Sequence, residues 1–254
     1  MDASQSPTAV ITGASSGIGA ATAIRLADAG YRVVLTARRA DRLAELAERI
    51  TKNGGQAQAH ELDVTDRAAV DAVLHQLDRC DVLVANAGGA IGADPVATGS
   101  ADDWRAMYEV NVLGTLNTVQ ALLPKLIASG AGTIVVMGST AGFTPYEGGG
   151  GYVAAKHGEH AIAGTLRLEL YDQPVRVIEI APGMVKTDEF AVKRYRGDAE
   201  KAAAVYQGVA EPLTAEDVAD AVTWTVTRPA HFNVDLMVIR PRAQAAQHKV
   251  FRQQ

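Results

Sequence analysis

The chain has 254 residues, 48% of them hydrophobic, and 24 Lys and Arg against 29 Asp and Glu leave a net charge of −5. That balance is near the globular average and disfavours disorder, a fibrous class and a nucleic-acid partner, since no Lys/Arg-rich run offsets the acidic excess. One cysteine, Cys80, excludes an internal disulfide and any multi-cysteine metal site; MDASQSPTAV lacks the regions of a signal peptide and no apolar run approaches the ~18 residues of a membrane span, so a cytoplasmic protein is expected.

Short β-branched runs alternate with longer amphipathic ones from Thr8 onward. TAVIT (8–12), YRVVLTA (31–37), QAQAHEL (56–62), DVLVAN (81–86), GTIVVMG (132–138), VRVIEIA (175–181) and VDLMVI (234–239) are predicted as seven strands. Between them lie helical patterns such as DRLAELAERI, where Leu43, Leu46 and Ile50 recur on one face. Apolar strands separated by helices imply a parallel sheet covered on both faces, and right-handed crossovers make it doubly wound. No linker interrupts the alternation, so 1–254 is taken as one domain.

The first strand runs into TGASSGIG at 12–19 and then a helical stretch. Gly13, Gly17 and Gly19 let the backbone turn tightly and approach a pyrophosphate, whose charge the helix N-terminus stabilises. Cys80 precedes DVLVA and reads as a small buried hydrophobe rather than a nucleophile. His157 and His160 share a helix face without a further ligand to complete a metal site, so no metal is expected. Residues 148–156 read GGGGYVAAK, which places Tyr152 and Lys156 one helical turn apart on one face. For the glycines two readings stand: a mobile wall beside the helix, or a tolerated surface loop. Residues 184–212 are longer than an ordinary connection and predict a substrate lid, ended by a capping box with Thr214 as N-cap and Asp217 three residues on.

TGASSGIG, NAG at 86–88, Ser139, Tyr152-x-x-x-Lys156 and PG at 182–183 together resemble the short-chain dehydrogenase/reductase family along nearly the whole chain. The resemblance implies a single α/β Rossmann domain with a seven-stranded parallel sheet and helices on both faces. It implies catalysis by Tyr152 as general acid or base, Lys156 beside it, Ser139 holding the substrate oxygen and Asn111 supporting a water relay. For Asn111 a second reading is a helix-bending residue bonded to backbone. Cofactor contacts carried over by the resemblance are Gly13, Ser15, Ser16, Gly17, Ile18, Gly19, Asp63, Val64, Asn86, Ala87, Gly88, Tyr152, Lys156, Pro182, Gly183, Val185 and Thr187.

At the end of the second strand NAD-dependent relatives carry Asp where this chain has Ala37, and Arg38 and Arg39 follow. Arginine accommodates a 2′-phosphate, so NADP(H) is the expected cofactor, with a solvated helix start as the other account of the two arginines. The expected function is hydride transfer between nicotinamide and a small-molecule carbonyl or alcohol; the alternative is a catalytically silent NADP-binding sensor or scaffold. A weaker likeness points to the serine and 3-hydroxy-acid dehydrogenase and clavulanate-type aldehyde reductase branch. The family also implies a homo-oligomer, tetramer or dimer, packed through helices near 101–129 and 152–172, with no membrane or nucleic-acid partner. Within the lid, Met184, Phe190, Tyr195 and Tyr206 offer apolar area, and Lys186, Lys193, Arg194 and Arg196 are candidate attractors for an acidic substrate.

Overall fold

The computed structural model describes residues 6–253. Seven parallel strands form one sheet: β1 (Thr8–Thr12), β2 (Arg32–Ala37), β3 (Gln56–Glu61), β4 (Val82–Ala85), β5 (Gly132–Met137), β6 (Val175–Pro182) and β7 (Leu236–Ile239). They follow the seven expected runs to within two residues at each end, in the order β3-β2-β1-β4-β5-β6-β7. The register sets Val10 beside both Val34 and Leu83.

Side chains alternate between the faces, so the five inner strands feed two cores, while the edge strands β3 and β7 reach only the first. Ile11, Leu35, Val84, Val135 and Ile178 meet α1 (Gly17–Asp28), α2 (Ala40–Lys52) and, through Val218 and Val222, the helix over Ala215–Val226. Val10, Val34, Leu83, Ile134 and Val177 meet α3 (Arg67–Leu74), α5 (Gly114–Ala128) and α6 (Gly150–Glu169) on the other face. Each such aliphatic side chain contributes about 1.5–3 kcal/mol by leaving water, which fixes the register. Cys80 lies in the second core, fully buried, where burial pushes its thiol pKa up.

Strand order reverses between β1 and β4, which opens a crevice at the carboxyl ends of the sheet. Around it stand α4 (Ala101–Tyr108), a π-helical turn over Glu109–Leu113, and the short helices α7 (Phe190–Arg194) and α8 (Ala199–Ala204) inside residues 184–212. That segment is stapled by a bridge between Val185 and Leu213 and by the Tyr206 hydroxyl donating to the Val185 carbonyl at 2.9 Å. It ends at α9 (Ala215–Val226) with the expected Thr214–Asp217 capping box. A hairpin of β8 (Gln244–Ala246) and β9 (Lys249–Val250), without an alternating pattern to announce it, closes the chain.

The glycine run has a packing cause that neither earlier reading supplied. Gly150 and Gly151 open α6, and a Cβ on Gly150 would stand 2.8 Å from the Trp104 ring while one on Gly151 would strike Met107, both on α4. Gly148 has φ +69°, and a Cβ there would lie 2.6 Å from the Ala93 carbonyl. The run lets the start of α6 lie directly on α4. Among the described residues no helix is long and apolar enough to cross a membrane.

Candidate active site

The crevice holds a cavity of about 540 Å³, a size suited to an organic ligand, walled by the residues that follow β1, β4, β5 and β6. At the β1 end Gly13 (φ +66°) and Gly17 (φ +54°) adopt left-handed conformations open to glycine. Ser16 is the N-cap of α1 but its side chain makes no capping bond, which leaves the first-turn N–H groups for an anion. Gly13, Ser15, Ser16, Gly17 and Ile18 line the cavity. Gly19 does not; a Cβ there would strike the Gly13 carbonyl and the Asn86 amide, so this glycine closes α1 against the sheet.

Arg38 and Arg39 both line this end, Arg38 exposed and Arg39 held. Arg39 donates to Ser15 Oγ and Ser16 Oγ at 2.9 Å and pairs with Glu189 at 2.7 Å. Burial pushes the Glu189 carboxyl up, but Arg39 and Lys193 outweigh it and hold the pKa at about 2. Thr12 Oγ1 accepts from the N–H groups of Asn86 and Ala87 at 3.0 and 2.9 Å, which fixes Asn86, Ala87 and Gly88 at the end of β4. Asp63, whose Oδ1 accepts from Thr65, and Val64 complete that wall, and Pro182, Gly183, Val185 and Thr187 form the opposite one. A cradle of free N–H groups, hydroxyls and guanidinium fits a phosphorylated dinucleotide.

At the other end Ser139, Tyr152 and Lys156 come together. Ser139 Oγ accepts from the Ala141 N–H at 3.1 Å in the 3-10 turn after β5. Lys156 Nζ lies 5.7 Å from the Tyr152 ring centroid, and the Phe190 ring meets Tyr152 edge-on at 5.8 Å. The ammonium donates to the Met137 carbonyl at 2.9 Å and is only 5% exposed. Asn111 sits in the π-helical turn, fully buried, its amide donating to the Met107 carbonyl at 2.7 Å and its Oδ1 accepting from the Gly89 N–H at 3.1 Å. It does not line the cavity; it interrupts the helix and anchors the loop after β4.

A model of the short chain dehydrogenase family matches residues 7–196. The chain belongs to this family. Among short-chain dehydrogenases it is 54% identical to an uncharacterised oxidoreductase of Mycobacterium tuberculosis over 238 residues, 94% of this chain and 92% of that protein. It is 42% identical to sulfoacetaldehyde reductase 2 of Chromohalobacter salexigens over 243 residues, 93% and 94% of the two chains. The closed form of a serine dehydrogenase complexed with NADP+ superposes with a TM-score of 0.90 at 36% identity, covering 97% of this chain and all of that one. The fold and family expected from the motifs are therefore correct.

Several residues of this short-chain dehydrogenase site had no local signal. Glu189 reaches Arg39 across 150 positions, and Gln244 and Gln247 enter from the terminal hairpin. Gln244 Oε1 accepts from the Met184 N–H at 2.8 Å, and Gln247 Oε1 accepts from Thr140 Oγ1 at 2.9 Å. Arg194 enters the cavity too, donating to the Tyr146 hydroxyl at 2.9 Å and to the carbonyls of Gly148 and Gly92. Of the other lid cations expected near substrate, Lys193 lines the cavity beside Glu189, Arg196 pairs with Asp103, and Lys186 does not reach it.

Proposed function

We propose that the protein is an NADP(H)-dependent oxidoreductase that interconverts a small carbonyl compound and its alcohol. The observation that carries this reading is one cavity with a guanidinium-armed phosphate cradle at one end and Ser139, Tyr152 and Lys156 at the other. Gly13 to Ile18 would hold the pyrophosphate, Arg38 and Arg39 the 2′-phosphate, Asp63 and Val64 the adenine, and residues 182–187 the nicotinamide. Bound there, the nicotinamide supplies or accepts the hydride. The Ser139 hydroxyl and the Tyr152 phenol hold the substrate oxygen, and Tyr152 gives it a proton in reduction or takes one in oxidation. Lys156 stabilises the negative charge left on the phenol oxygen.

Arg194 supports a substrate bearing a carboxylate or sulfonate. Among the described residues its acceptors are all neutral and no carboxylate pairs with it, which leaves a positive charge in the wall next to Tyr146. The anionic or zwitterionic compounds named for two relatives, sulfoacetaldehyde and serine, agree with that charge. Residues 184–212 act as the lid of a single domain spanning 1–254. Exposed Tyr108, Leu168 and Tyr171, along α4 and the end of α6, support assembly of copies through those helices.

The test is Tyr152→Phe, assayed with NADPH on carbonyl compounds with and without an anionic group. Loss of the positioned acid lowers kcat by about 10²–10⁴-fold, and NADPH binding persists because the ring still packs. A variant keeping more than about a tenth of the turnover removes Tyr152 from the role. Equal kcat/KM on charged and uncharged carbonyls removes Arg194 from substrate recognition.

A further inference from the structure

Beneath Lys156 lie two buried acids to which that reaction gives no task. Glu159, three residues on along α6, is 1% exposed, and its Oε2 stands 2.5 Å from Lys156 Nζ. Its other oxygen accepts from Thr115 Oγ1 of α5 at 3.4 Å. Glu179, wholly buried in the middle of β6, meets His160 Nδ1 at 2.7 Å through Oε2, while its Oε1 has no hydrogen-bond partner among the described residues. Room for Glu179 exists because β5 is followed by Gly138, where a Cβ would lie 2.5 Å from that free oxygen. An ammonium placed alone in such surroundings gives up its proton rather than stay charged.

We infer that Glu159 is the positioning residue of Lys156: its carboxylate fixes the ammonium beneath Tyr152 and keeps it charged in a site too dry to hold a lone cation. This rests on the catalytic reading of Tyr152 and Lys156 given above. Burial alone pulls the Lys156 pKa down, and Glu159, with Tyr152 and Glu179 behind it, more than reverses that, so the lysine sits above its ordinary range. The same burial pushes Glu159 up to about 7 against the pull of Lys156. The titratable groups facing the pair are Tyr152 on the same helix and Glu179 on β6, the latter joined to half-exposed His160. The sides of β5 and α5 present the Met137 carbonyl and the Thr115 hydroxyl, which do not titrate. Removing the Glu159 charge therefore leaves burial as the dominant influence on the lysine.

The experiment is a side-chain NMR titration of Lys156, its signal assigned by loss in Lys156→Met, beside the pH profile of kcat/KM on the best carbonyl of the screen above. In the unmodified protein the lysine keeps its proton beyond the range of an ordinary lysine. In Glu159→Gln its midpoint falls by at least about one unit, a tenfold change, and the alkaline limb of kcat/KM moves by the same amount. A midpoint within about 0.3 unit of the unmodified value overturns the inference. A midpoint that falls while the alkaline limb stays leaves the inference standing and overturns the catalytic assignment of Lys156. Should Glu159→Gln not fold, Glu159→Asp carries the test, because it keeps the carboxylate and shortens its reach. There the lysine stays charged while kcat falls at least about fivefold as the ammonium is drawn from the phenol. An Asp variant with unmodified kcat overturns the inference.

Discussion

Replacing Arg39 by Ala removes the guanidinium that Ser15, Ser16 and Glu189 hold over the phosphate end of the cavity. A charge-assisted contact between such a group and a 2′-phosphate contributes about 1.5–3 kcal/mol. Part of that is already spent on Glu189, but the pair is about one-third exposed on each side, 35% and 31%, and such pairs are worth only about 0–1 kcal/mol. Taking about 0.5 kcal/mol, the middle of that range, for the pair leaves about 1–2.5 kcal/mol, or roughly 5- to 60-fold in preference at about 1.4 kcal/mol per tenfold. The assay is kcat/KM with NADPH and NADH on one substrate; the NADPH value falls by that factor and the NADH value holds. Glu189→Gln works in the opposite direction, since it frees Arg39 and removes a carboxylate that repels phosphate, and NADPH affinity rises by up to about fivefold. If Arg39→Ala keeps an NADPH/NADH ratio within about twofold of the unmodified enzyme, Arg39 does not read the phosphate and the argument fails.

Hydrogen exchange across 184–212 slows when NADPH and a substrate analogue bind together, because closure of the segment withdraws its backbone from water; unchanged exchange rules out a lid. Gly148→Ala lowers stability by about 1–3 kcal/mol, read by thermal or urea unfolding, since φ +69° and the Ala93 carbonyl at 2.6 Å both oppose a side chain; a stable Ala variant contradicts the packing account. The Glu189 pKa, held at about 2 against an ordinary 4.5, adds stability that is fully present above about pH 4.5 and fades as the pH falls through 2. The stability difference between the unmodified protein and Glu189→Gln should therefore vanish on acidification, and a difference independent of pH across that window excludes the ion pair as its source.

What was legible in the sequence was local. The Gly13-to-Gly19 spacing, the four-residue step from Tyr152 to Lys156 and the Thr214–Asp217 box each sit within one or two turns of chain, where periodicity and φ requirements dictate structure directly. The middle of the sheet was legible because β1, β4 and β5, buried along their whole length, leave short runs of apolar and β-branched residues, whereas the edge strands β3 and β7 are half exposed. Arg39 was readable as a cation at a strand end, but Glu189 was not readable as its partner, because 150 residues separate them and only the fold closes that distance. Gln244 and Gln247 lie in a hairpin of polar and small residues without strand periodicity, so nothing in RPRAQAAQHKV points to a cavity. Glu179 did leave a trace: a carboxylate in the middle of VRVIEIA breaks an apolar strand and asks for a partner. The glycine run misled because glycine serves freedom and close approach alike, and the neighbour that decides between them, Trp104, lies more than forty residues upstream.

The terminal hairpin has a practical side. Past it, the Gln253 N–H donates to the Gly208 carbonyl at 2.7 Å, and Arg252 reaches the Val205 carbonyl at 3.0 Å and the Gln207 carbonyl. Those three acceptors belong to the segment that closes one side of the active site, and Val205 itself lines the cavity. A change at Arg252 or Gln253 made for convenience thus tugs on the wall of the cavity. Kinetic constants gathered on protein altered at Arg252 or Gln253 therefore report a cavity whose wall has lost those bonds.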